Sequence, residues 1–158
     1  MTEDARFEDG REAPLNLGAF DAEDLDVVSS LVQDAVFTLQ DMAWRPRERR
    51  LALLINRFRW EDGARARHGA ERVRSLLVID NVEGVSSQGL DRSDPDVILS
   101  MLSVGFEPDA AEDVAGYVTL TLAGDGALRA RIEALEVTLR DVTRPYRAPS
   151  GKAPDHDA

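Results

Sequence analysis

The chain contains no cysteine among its 158 residues. A disulfide framework, a thiolate metal site and a cysteine nucleophile are all excluded by that absence. The lack of thiols suits a reducing compartment. Histidine occurs only as His68 and His156. They share no ligand spacing, and a zinc-type site needs three or four convergent ligands, so no metal is expected at either. Lysine occurs once, at Lys152. No apolar run approaches the roughly 20 residues that a membrane-spanning helix requires. The opening residues, Met1-Thr2-Glu3-Asp4-Ala5, lack the cationic start and apolar centre of a secretion signal. A soluble cytoplasmic protein without membrane contact is the expectation. Also missing are a Walker-type phosphate loop, a dinucleotide-binding glycine pattern and a nucleophile elbow. No cofactor is therefore expected. Gly124-Asp125-Gly126 lacks the lysine of a phosphate loop and reads as a chain reversal.

Positive charge is scarce overall, with a net charge of -11. General nucleic-acid binding is disfavoured, because phosphate contacts need a cationic surface. The distribution is uneven. From Trp44 to Arg74 there are ten arginines and four acids, a local charge of +6, which leaves -11 minus 6, or -17, on the remainder. A protein or a small anionic partner at this basic region is compatible with that layout.

A chain of this length is expected to fold as one domain that buries roughly 70% of the surface its unfolded form exposes. We place that domain at residues 14–146. Residues 1–13 are polar and aperiodic and read as a loose leader, and residues 147–158 as a disordered tail. An amphipathic helix is predicted over residues 22–35. Asp21 caps it, Glu23 and Asp24 suit its positive end, and Leu25, Val28, Leu31, Val32 and Ala35 form its apolar face. Phe20 precedes the cap and can pack on Leu25 as a hydrophobic staple.

The longest apolar run, Leu51 to Ile55, lies between arginines and reads as a central strand. Residues 35–44 shift toward period two, and Arg45-Pro46-Arg47-Glu48 makes a turn, so the two form a hairpin. Because Leu51 to Ile55 is apolar at consecutive positions, the strand should be covered on both sides, by the helix on one and more sheet on the other. Glu61 to Ala70 reads as a mobile loop. Residues 72–90 read as a strand that bends at Gly84, and residues 97–106 and 115–123 as two more. In the last of these, Val118, Leu120 and Leu122 point inward. Residues 127–142 fit either a strand with a bulge near Ala134-Leu135 or a helix with Leu128, Ile132, Leu135, Leu139 and Val142 on one face. The expected class is α+β, mainly an antiparallel sheet of about six or seven strands. A partly closed barrel of the pleckstrin-homology kind is one form it could take.

Three stretches carry a resemblance. They are Asp24-Leu25 through Ser30-Leu31-Val32-Gln33-Asp34-Ala35-Val36, then Arg49 to Glu61, then Gly126-Ala127-Leu128-Arg129 to Leu139-Arg140-Asp141-Val142. Together they resemble an uncharacterised family of small, mostly alphaproteobacterial proteins, classed as a domain of unknown function, over about residues 17–146. The resemblance implies no activity. It implies a strand rather than a helix for residues 127–142.

No catalytic residue can be assigned. The segment from Asn56 to Trp60 is the best candidate for a binding surface. Arginine and tryptophan are enriched at binding hot spots, which singles out Asn56, Arg57, Arg59 and Trp60, with Trp44 as a neighbour across the hairpin. The structural alternative is that Phe58 or Trp60 packs in the core while its neighbours face water. Two functional readings follow. One is a small noncatalytic binding or regulatory module. The other is an enzyme with a carboxylate and arginine site in a pocket at the mouth of the sheet. A homodimer through an exposed sheet edge is compatible with both.

Overall fold

Helix formation starts at a cap. The Asp21 side chain accepts a 2.8 Å hydrogen bond from the Asp24 amide, and helix α1 then runs over Ala22–Val32. Glu23 and Asp24 occupy its first turn, where the exposed amides favour negative charge. Leu25, Val28, Leu31 and Val32 are buried, as their spacing requires. Asp21→Ala is expected to cost about 1 kcal/mol, read as a lower urea midpoint. An unchanged midpoint would show that the cap contributes nothing. The helix ends earlier than its apolar pattern suggests, because Asp34 takes a left-handed backbone with φ of 66°. Ala35 is fully buried beyond that reversal. Phe20 does not staple the helix; it is 66% exposed.

The computed structural model describes residues 14–59, 71–144 and 146–147. The segments expected to be a leader, the loop at 61–70 and most of the tail lie outside them. The strands are β1 (Asn16–Ala19), β2 (Val36–Phe37), β3 (Met42–Arg45), β4 (Arg50–Phe58), β5 (Glu71–Ile79), β6 (Val82–Gln88), β7 (Leu99–Pro108), β8 (Gly116–Leu122), β9 (Ala127–Ile132), β10 (Val137–Asp141) and β11 (Tyr146–Arg147). They form one eleven-stranded sheet in the order β1-β10-β5-β4-β2-β7-β8-β9-β6, with β3 beside β4 and β11 beside β5. Every pairing is antiparallel. The α+β class is as expected, but the strands exceed six or seven. Among the described residues the sheet is also open, because β1 and β6 end the path without pairing to each other, so the strands described close no barrel.

The extra strands arise where single expected strands break. Residues 35–44 are split by a 3-10 turn at Leu39–Asp41. There the Asp41 carboxylate accepts from the Thr38 amide at 2.8 Å and the Thr38 hydroxyl at 3.1 Å. Residues 72–90 divide into β5 and β6 at Asp80-Asn81, where Asn81 has φ of 60°, and a bulge follows between Val82 and Gly84. Residues 127–142 are strands, not a helix, and divide at Glu133–Glu136. The two corners bond to each other. The Asp80 amide donates to the Glu136 carbonyl and the Glu133 amide to the Asn81 carbonyl, both at 3.0 Å. The Asn81 side chain adds a 3.2 Å bond to the Ala134 carbonyl. The chain bends twice at one place, so β5 pairs with β10 while β6 pairs with β9.

Bending brings the two halves of the sheet around one core. Leu51, Leu53, Ile55, Leu77, Ile79, Val137 and Leu139 face Val104, Val118, Leu120, Leu122, Leu128 and Ile132, and α1 closes the gap. Coverage of β4 therefore differs from expectation. Leu51, Leu53 and Ile55 are buried, whereas Ala52 and Leu54 are half-buried. Helix and second half-sheet lie on the same side, and no other element among the described residues covers the outward face of β4 at Ala52 and Leu54. No helix among the described residues is long and apolar enough to cross a membrane.

Candidate functional site

Strand register places the outward residues in rows. Leu54 lies opposite Leu76, Leu76 opposite Arg140, and Arg140 opposite Asn16. In the next row Ala43, Ala52, Val78 and Thr138 are successive partners. On one flank Asn56 lies opposite Arg74. On the other, Arg50 lies opposite Arg45. Leu54, Leu76 and Val78 are each half-buried. They floor a depression of about 650 Å³ that Asn16, Asp41, Arg45, Glu48, Arg50, Asp80, Thr138 and Arg140 surround. A smaller hollow of about 180 Å³ adjoins it at Leu54 and Asp41 and reaches Asn56, Arg74 and Ile98.

The charges around the depression divide into two kinds. Arg50 Nε donates to Asp80 Oδ1 at 2.8 Å, and that bond holds the Arg50 pKa above its ordinary value. Arg45 stands 3.9 Å from Glu48. Asp41 is occupied by Thr38. Arg140 at the depression and Arg74 at the adjoining smaller hollow, by contrast, are exposed, and their guanidinium groups have no hydrogen-bond or ion-pair partner among the described residues.

On the inner face, at the same end of the sheet, lies a buried polar cluster. Arg57 is 0% exposed. Its Nε donates to Ser75 Oγ at 2.9 Å, one terminal nitrogen to Asp141 Oδ1 at 2.9 Å, and the other to the Phe58 carbonyl at 3.2 Å. Ser75 Oγ donates to the same Asp141 oxygen at 2.7 Å. The second oxygen, Asp141 Oδ2, accepts from the Leu15 amide at 2.9 Å. The cluster joins β4, β5, β10 and the segment entering β1. Beside it, Arg59 bonds Glu71 at 2.9 Å. Arg72 stacks 3.9 Å from the Phe58 ring centre and reaches the Asn56 side chain at 3.3 Å.

The sequence candidates are thus distributed over two faces. Asn56 faces outward at the smaller hollow. Arg57 faces inward, and Arg59 is only 6% exposed, so neither offers a free guanidinium at the surface. Phe58 is buried beneath Arg72, but its neighbours Arg57 and Arg59 are buried too, so the structural alternative, in which they face water, does not hold. Trp44 packs against the core and lies opposite Leu51, toward the other end of β4. Trp60 lies outside the described residues. Arg74, Arg140, Leu76, Val78, Ser75 and Asp141 were not singled out from the sequence. A parity rule was available for β5, where Arg74, Leu76 and Val78 share one face. Nothing local marks Asp141 as the partner of Arg57, 84 residues away.

Among the described residues no group of three or more histidine or acidic side chains could hold a metal ion; His68 and His156 lie outside them. A family model with no assigned function matches residues 15–156. No curated protein and no solved structure matches the chain.

Proposed function

The chain belongs to the family described as "Protein of unknown function (DUF2948)", which assigns no activity, and from that premise we propose that it is a noncatalytic binding module. Its working surface is the outward face of β3, β4, β5 and β10. The observation that carries this reading is the uncovered apolar floor of Leu54, Leu76 and Val78 within a polar frame. An apolar floor inside a frame of polar and charged side chains, at about 650 Å³, has the volume of a site for a small ligand. An enzyme using the same acids is the weaker reading. Asp80 is bonded to Arg50 and Asp41 to Thr38, so these two carboxylates serve the scaffold.

A fragment screen read by amide chemical shifts tests the proposal. Binding fragments should perturb a contiguous set that includes Ala52, Leu54, Leu76, Val78 and Thr138, and Leu76→Glu should abolish those shifts while circular dichroism stays unchanged. Fragments that bind elsewhere, or that bind Leu76→Glu equally well, would overturn it.

A further inference from the structure

The geometry points to Arg74 and Arg140 as a clamp for the acidic head group of a small amphipathic ligand whose apolar body lies over Leu54, Leu76 and Val78. This inference rests on the open-face reading and names the ligand class for it.

Position supplies the first support. Arg140 is the direct partner of Leu76, and Arg74 stands two residues from Leu76 on the same face of β5. The two arginines are therefore diagonal cross-strand neighbours, with backbones roughly 7–8 Å apart. Arginine side chains of that spacing can converge on one anion and offer it paired N–H donors. Charge supplies the second. Like charges on adjacent strands repel. Elsewhere on this sheet acids answer arginines, as Asp80 does Arg50, Asp141 does Arg57 and Glu71 does Arg59. The chain has 30 acidic residues to draw on, yet none meets Arg74 or Arg140 among the described residues. A bound anion would supply the missing counter-charge.

The third support is the link between head and body. Leu76 lies beside both arginines and opposite Leu54, so the clamp opens directly onto the apolar floor. Exposed Asn16, opposite Arg140, gives the head group an amide donor on its other side. A bare inorganic anion would leave the floor uncovered, and an uncharged apolar molecule would leave the arginines repelling each other. A carboxylate or a phosphate ester on a short apolar body meets both requirements.

Titration calorimetry on the full chain tests this with octanoate and octyl phosphate, below their micelle-forming concentrations, and with octylammonium as the oppositely charged control. At least one acid should bind while octylammonium does not, and the preferred acid identifies carboxylate or phosphate as the head group. Arg74→Gln and Arg140→Gln should each weaken that binding about tenfold with the urea midpoint unchanged. Failure of wild type to bind either acid would overturn the clamp, as would octylammonium binding as tightly. Acid binding that survives the double arginine variant but is lost in Leu76→Glu would overturn the clamp and leave the open face as the binding surface. Survival in both the double arginine variant and Leu76→Glu would overturn both.

Discussion

Asp141→Ala is expected to lower the unfolding free energy by about 3–5 kcal/mol, because it removes one partner of a buried ion pair. Arg57 would keep its charge at 0% exposure without the Asp141 carboxylate that stands 2.9 Å away. Ser75 and the Leu15 amide would lose their acceptors as well. With a urea dependence of about 1–3 kcal/mol per molar, the midpoint should fall by about 1 M or more. The cause can be separated from simple loss of contacts. Replacing Arg57 and Asp141 together by leucine removes both charges and should recover much of the loss, since a buried pair is often replaceable by apolar side chains. A midpoint unchanged in Asp141→Ala, or a double variant no better than the single one, would show that the pair does not hold β4, β5 and β10 together.

The second large effect is a contrast between neighbours on β4. Leu53 is 0% exposed and pairs with Leu77, which is also 0% exposed. Leu53→Ala should cost about 2–5 kcal/mol, combining lost transfer energy with the cavity left behind. Leu54 points the other way and is half-buried over the depression. Leu54→Ala should cost about 1 kcal/mol or less, since the side chain already meets water and leaves no closed cavity. Urea unfolding of the two variants decides the matter. Equal losses would mean that the outward face is covered after all, and the open-face proposal would fall with that result.

The same two leucines show where a local pattern stops informing. Consecutive apolar residues from Leu51 to Ile55 look alike to any rule based on periodicity, and such a run suits a strand buried on both faces. Which face is covered depends on the position of the second half-sheet, and that depends on the corners at Asp80-Asn81 and Glu133–Glu136. Each corner is ordinary in sequence. They become sharp bends because the backbone groups of one satisfy those of the other. The candidate site was legible to a similar degree. Its location in the basic stretch reached Asn56 and ended at Arg74. Arg57 and Arg59 looked equivalent to Arg74 by composition, and burial separates them.

What the sequence determined by itself was local. An aspartate before an amphipathic run makes a capped helix. A proline turn after Trp44 makes the β3–β4 hairpin. Clean alternation in β8 leads into a reversal at Gly124-Asp125, where both residues take positive φ, as a tight hairpin turn needs. These features depend on residues within a few positions of one another, so their energies can be read along the chain. Tertiary structure alone decided the bending of one sheet around its core, the burial of Arg57 against Asp141 and the open face that leaves Arg74 and Arg140 side by side. Each depends on groups brought together across many residues of chain. Hydrogen bonding and burial act on distance in space, and sequence separation does not reveal it.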